Sequence, residues 1–284
     1  MEEQTLELKT QRRPWLIWTA AAALTLILVT VCLILGAGVR EEIPEQTEAT
    51  EETVTESTQG PFAENPYGAE DFQQEDGFLT CLSGESVLGI DVSSFQGEID
   101  WDAVAGAGVK FVMIRIGGRG YGAEGKLYAD ELAQVNYEKA KAAGLQVGAY
   151  FFSQAVSVEE AIEEAAYALR QIKDWELTMP LAFDWEYLGE EARTANVDKR
   201  TLTDCTLAFC RTVELAGHEA MTYFNPNQSD NHVYLEELTD YRGWLAMYTE
   251  QMTYPYRVDM WQYTNEGSVP GVDGPVDINL YFPY

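Results

Sequence analysis

From Leu88 to the C-terminus, short apolar runs alternate with longer stretches whose apolar residues recur every three or four positions. The short runs are Leu88–Ser94, Phe111–Gly117, Val147–Gln154, Pro180–Glu186, Glu219–Asn225, Tyr241–Tyr248, Asp259–Thr264 and Val276–Phe282. Their length and apolar content predict buried strands. Between the earlier runs the 3.6-residue period predicts helices. One spans Asp130–Ala143 and stops at Gly144, which suits the left-handed turn after a helix. Another opens at the capping box Ser157-Val-Glu-Glu160 and runs to Lys173. A third spans Lys199–Ala216 and stops at Gly217. Helices alternating with buried strands predict an α/β domain, 88–284, on a parallel sheet. Eight strand candidates predict closure into a TIM-like barrel, irregular where the last three strands have only short connections. A doubly wound open sheet is the alternative.

The pattern before Leu88 is different. Trp15–Val39 holds no charged residue and is rich in Leu, Ile, Val and Ala. About 20 helical residues cross a hydrocarbon core, so 15–39 is expected to be a transmembrane anchor. Lys9, Arg12 and Arg13 precede it, and apart from Arg40 only acidic charges follow to Asp76. The positive flank is expected to place residues 1–14 in the cytoplasm and the C-terminal domain outside. A cleaved signal peptide ending near Gly36-Ala37-Gly38 competes, but the apolar run is longer than such segments usually are. Residues 40–87 read as a disordered acidic linker, with twelve acidic and no basic residues between Glu41 and Asp76. Aromatics at Phe62, Tyr67, Phe72 and Phe78 suggest that its end packs on the domain.

Charge narrows the possible functions. The formal net charge is −29, which disfavours a phosphate-backbone partner such as nucleic acid. Cys32, Cys81, Cys205 and Cys210 form neither a CxxC pair nor a disulfide framework, and His218 and His232 lack a second ligand at metal spacing. No metal and no cofactor are expected, and the protein is expected to be a monomer. Gly120-Tyr-Gly122-Ala-Glu-Gly125 matches GxGxxG after a strand, but the helical pattern begins only near Asp130, too late for a dinucleotide turn.

The chemistry centres on Phe183-Asp184-Trp185-Glu186. Side chains alternate along a strand, so Asp184 and Glu186 share a face. Like charges side by side force one group to keep its proton, which is costly as structure. A glycosidase needs that pair: one protonated acid for the leaving oxygen and one carboxylate near the anomeric centre. A surface strand end with two solvated acids is the plain alternative. Asp91 closes the first strand candidate and Asp277 lies in the last, and these strands are neighbours in a closed barrel. Tyr150, Tyr223, Trp244 and Trp261 lie at or near strand ends and are candidate sugar-stacking residues, with Tyr248 and Tyr263 beside them.

Gly89-Ile-Asp-Val-Ser-Ser-Phe-Gln-Gly97 followed by Ile99-Asp-Trp101 resembles the opening of family 25 glycoside hydrolases. The resemblance continues in order through Phe111–Arg115, Ala143–Phe152, Phe183–Glu186, Trp244-Leu-Ala, Trp261-Gln-Tyr263 and Gly271–Asn279. It implies a flattened, irregular β/α barrel of five β/α units and three further strands. It implies cleavage of the β-1,4 bond from N-acetylmuramic acid to N-acetylglucosamine in peptidoglycan glycan strands. Glu186 would then be the general acid, Asp184 the assisting carboxylate, and Asp91 and Asp277 would line the site. Either the muramic 2-acetamido group or an enzyme carboxylate would be the nucleophile. Phe151 stands where many members carry His. A non-catalytic wall-glycan binder on the same barrel and a glycosidase of other specificity are the competing functions.

Overall fold

The computed structural model describes residues 63–283. Its first element is an antiparallel hairpin of β1 (Phe72–Glu75) and β2 (Phe78–Cys81). Asp76 and Gly77 close it with φ values of 51° and 89°, the positive pair that a tight two-residue turn requires. There follow β3 (Val87–Val92), α1 (Trp101–Gly106), β4 (Phe111–Arg119), β5 (Leu127–Ala129) and α2 (Ala133–Ala142). Next come β6 (Gln146–Ser153), α3 (Val158–Gln171), β7 (Leu181–Trp185), α4 (Lys199–Leu215), β8 (Ala220–Phe224) and α5 (Pro226–Asn231). The chain ends in β9 (Arg242–Ala246), β10 (Met260–Gly267) and β11 (Val276–Tyr281).

Eight of these strands close a barrel. Parallel pairing runs from β3 through β4, β6, β7, β8 and β9 to β10. Strand β11 runs antiparallel to both β10 and β3 and completes the ring. Five strands are followed by helices that cover the outside, whereas β9–β11 follow one another without an α-helix between them. This is the expected barrel rather than an open sheet.

Alternation along each strand sorts side chains into two cores. Outward residues such as Ile90, Val112, Ile114, Ala149, Leu181 and Phe183 pack under the helices. Inward residues Phe111, Met113, Ala182, Met221, Trp244 and Met260, with Met179, fill the barrel floor. Phe111 fills it so closely that a Cβ on Gly89 would lie 2.2 Å from its ring. Phe151 points outward, fully buried, with its ring 6.1 Å from Tyr167 and 6.4 Å from Phe209. The departure from the resemblance at Phe151 thus lies in the packing between barrel and helices.

The stretch 63–87 corrects one expectation. Its composition predicts a disordered linker, with aromatics that pack its end on the domain, and the whole of 63–87 is folded onto the barrel, Tyr67 and Phe72 among the packed rings. Phe72 meets Trp261 edge-on at 5.1 Å, Tyr67 lies 5.0 Å from Phe282, and Leu79 and Cys81 are buried. Two four-residue strands around an Asp-Gly turn bury apolar side chains on one face while their acids stay in solvent, so local composition misleads there. The expected cytoplasmic tail, anchor span 15–39 and linker 40–62 lie outside the described residues. Among the described residues no helix is long and apolar enough to cross a membrane.

Candidate active site

In a parallel barrel the loops at the carboxyl ends of the strands form the functional face. Asp91 is the fifth residue of β3, Asp184 the fourth of β7, and Glu186 follows β7. Asp277 is the second residue of β11. Because β11 runs antiparallel, its start lies at the same end as the finish of its neighbours. Asp277 sits directly opposite Asp91 in the register. Parity turns both inward, as it does Asp184 and Glu186, whose intervening Trp185 points out and donates to the Ala155 carbonyl at 3.1 Å.

Burial and mutual repulsion shape the electrostatics. Asp91 and Asp184 are 5% exposed, while Glu186 and Asp277 are half-buried. Loss of hydration holds Asp184 well above the usual carboxylate range, and the charges of Glu186, Asp91 and Asp277 add to this while Arg115 opposes it. Asp91 is held high by burial and by Asp277, against two amide donors. Glu186 is raised by burial and then by Asp277. Burial pushes Asp277 up to about 6. Each of the four groups thus has its proton affinity raised, and they titrate as a coupled set.

Polar neighbours hold the acids in place. Asp91 Oδ2 accepts from Gln262 Nε2 and Asn279 Nδ2, both at 2.8 Å. Gln262 Oε1 in turn accepts from the Tyr223 hydroxyl at 2.9 Å and the Tyr248 hydroxyl at 3.0 Å. Arg115 is fixed by Asp130 Oδ2, 2.9 Å from its Nε, and lies 4.7 Å from the centre of the Phe95 ring. The backbone around Glu186 is clamped from two sides: Gln154 Nε2 donates to the Glu186 carbonyl at 2.8 Å and Gln228 Nε2 to the Trp185 carbonyl at 2.6 Å. Gln154 is itself held by Arg193 and Thr194 from the loop after β7. Asp184 Oδ1 is buried with no hydrogen-bond partner among the described residues. Buried oxygens normally have one, so this atom is set for a donor from elsewhere.

The expected aromatics divide. Tyr150 and Tyr223 point inward, half-buried, Tyr223 beside Asp184 in the register, with their rings edge-on to Trp244 at 5.9 Å and 5.0 Å. Trp244 is corrected from sugar contact to floor. It is 1% exposed, and its indole N–H is committed to Asn279 Oδ1 at 2.8 Å. Trp261 is corrected further. It is fully buried on the outer face against Phe72 and donates to the Met247 carbonyl at 2.8 Å. Gln262 beside it takes the inward position. Gln262, Asn279, Arg115 and Gln154 were not singled out from sequence. The same two-residue alternation that pairs Asp184 with Glu186 would have pointed to Asn279, two residues after Asp277.

This acid-lined barrel end lies within residues 90–272 and the strand that follows them, and residues 90–272 match the profile of Glycosyl hydrolases family 25. The chain belongs to that family. The autolytic lysozyme of Clostridium acetobutylicum is 26% identical over 195 residues, 68% of this family 25 chain and 55% of that protein. Lysozyme M1 of Streptomyces globisporus is 41% identical over 68 residues, 24% of this chain and 21% of the other. The modular autolysin LytC of Streptococcus pneumoniae shares the fold with a TM-score of 0.61 at 24% identity, covering 70% of this chain and 47% of LytC. A family 25 glycosyl hydrolase from Bacillus anthracis gives 0.56 at 21%, covering 70% and 89%. This family 25 chain spans about half the length of the clostridial lysozyme and of LytC.

Proposed function

We propose that the protein is a peptidoglycan hydrolase that cuts the β-1,4 bond from N-acetylmuramic acid to N-acetylglucosamine. The observation that carries this reading is the convergence of four carboxyl groups on the functional end of a family 25 barrel. Glu186, raised by burial and by Asp277 and still open to solvent, is the general acid that protonates the leaving oxygen. Asp184 assists. Its unpartnered Oδ1 suits the N–H of a 2-acetamido group, and positive charge growing at the anomeric carbon favours its ionised form. That pairing supports attack by the substrate's own acetamido oxygen, a recognised departure from the two-carboxylate scheme. Asp91 and Asp277 line the site and set the proton affinity of the pair. The names of the lysozymes and autolysin that resemble the chain support the same substrate.

The reading extends to location. With 15–39 as an uncleaved anchor, the barrel works outside the membrane, and the acidic residues that follow extend its reach towards the wall. Digestion of purified peptidoglycan, with mass analysis of the new reducing ends, tests the activity. Reducing muramic ends support it. Binding without cleavage would favour the glycan-binding alternative, and glucosamine ends a different specificity.

A further inference from the structure

The β1–β2 hairpin precedes the residues that match the family profile, and it adds a wall to the barrel. Gln74 and Gly77 of the hairpin face the end of β10 and the β9–β10 loop across a groove of about 450 Å³. Sites for small ligands run from about 300 to 1,000 Å³. The hairpin is held in position by the Phe72–Trp261 contact and by the Leu79 N–H, which donates to the Tyr263 hydroxyl at 3.3 Å.

One side chain joins this groove to the acids. Tyr248 is 50% exposed and lines the groove, and its hydroxyl bonds the same Gln262 that holds Asp91. The charges of Asp277, Asp91 and Glu186 all act on that hydroxyl. A polymer bound across the acids that leaves past Tyr248 therefore enters the groove. The lining offers the Tyr248 ring, the amides of Gln74 and Asn265 and the hydroxyls of Thr249 and Ser268. A ring face and uncharged hydrogen-bonding groups match the C–H face and hydroxyls of a sugar. Neither Lys nor Arg lines the groove, while Glu250 and Glu266 do, which opposes anionic polymers.

We infer that this groove is a further glycan subsite, which holds the uncharged N-acetylglucosamine unit beyond the cleavage point and favours long strands over short fragments. The inference rests on the proposed peptidoglycan activity. Its test compares the full-length wild type with a Gln74→Ala, Asn265→Ala double variant and with Ser268→Trp, which fills the groove. All substituted positions are exposed, so folding is not at stake. Substrates run from a tetrasaccharide to long purified glycan strands. The variants should raise KM for long strands by about tenfold, a loss that two hydrogen bonds account for, with kcat and tetrasaccharide kinetics unchanged. Wild-type KM on long strands, or equal losses on both substrates, would overturn it. A wild type that cuts nothing defeats the proposed activity instead. The groove is then judged by calorimetric binding of long strands: weaker binding in the variants supports it and unchanged binding overturns it.

Discussion

In the proposed role of Glu186 as general acid, the demands of burial and of catalysis point the same way. A carboxyl that must give up a proton near neutrality needs its pKa raised, and burial together with Asp277 raises it. Activity should therefore peak on the acidic side of neutral and fall as pH rises through that shifted value. A basic limb governed by a group near glutamate's ordinary pKa of about 4.3 would contradict this. Replacing Asp277 by Asn removes a negative neighbour, so the basic limb should move to lower pH, read from kcat/KM profiles. The same change has a stability signature. Asp277 has a folded pKa of about 6 against 3.8 in the unfolded chain, so the folded state binds the extra proton between those values. Its ionisation therefore costs stability progressively as pH rises from about 4 to 6, and the cost is full above that. Asp277→Asn should raise Tm at pH 7 and leave it nearly unchanged at pH 3.5, by differential scanning calorimetry. Among the acids, Glu186→Gln should lose the most turnover, on the order of 10²–10⁴-fold. Asp184→Asn should rank second, through loss of charge beside the developing cation.

Elements long enough to show a period were legible. All eight barrel strands coincide with apolar runs, and α2, α3 and α4 fall within two or three residues of the expected limits. The missed elements are short. Helix α1 has six residues and β5 three, too few for any repeat to show. Local signals were nonetheless present. Asp100 caps α1 by accepting from the Ala103 N–H at 3.1 Å, and Asp76-Gly77 marks the hairpin turn. The acids were legible because strand parity ties Asp184 to Glu186. Contacts such as Gln262 to Asp91, between residues 171 apart in sequence, depend on which strands close the barrel and leave no local trace. An aromatic near a strand end can meet a sugar only on the inward face, and at Trp261 parity gives that face to Gln262. Two predictions belong at this scale. Phe72→Ala removes the ring that seats the hairpin on Trp261 and should destabilise the fold by about 3–5 kcal/mol in denaturant titration. Gln154→Ala frees the Glu186 carbonyl and should lower kcat of the folded enzyme more than it changes KM, with a stability loss of a few kcal/mol from the buried partners left unpaired. Equal scaling of kcat and folded fraction would instead mark Gln154 as purely structural.

Taken as one molecule, the protein joins an apolar N-terminal run, an acidic stretch and a family 25 barrel whose acids face one end. The proposed topology predicts that protease added to intact, wall-stripped cells releases a soluble fragment containing the barrel. Full protection of the barrel, with cytoplasmic and surface markers behaving normally, would reverse the orientation. The net charge of −29 over the whole chain disfavours phosphate-rich polymers as partners. The most direct measurement digests purified peptidoglycan with the wild type and with Glu186→Gln in parallel and identifies the new reducing ends by mass. The account predicts reducing N-acetylmuramic ends from the wild type and almost none from a folded Glu186→Gln protein. A Glu186→Gln protein that releases the same ends at close to the wild-type rate would contradict it.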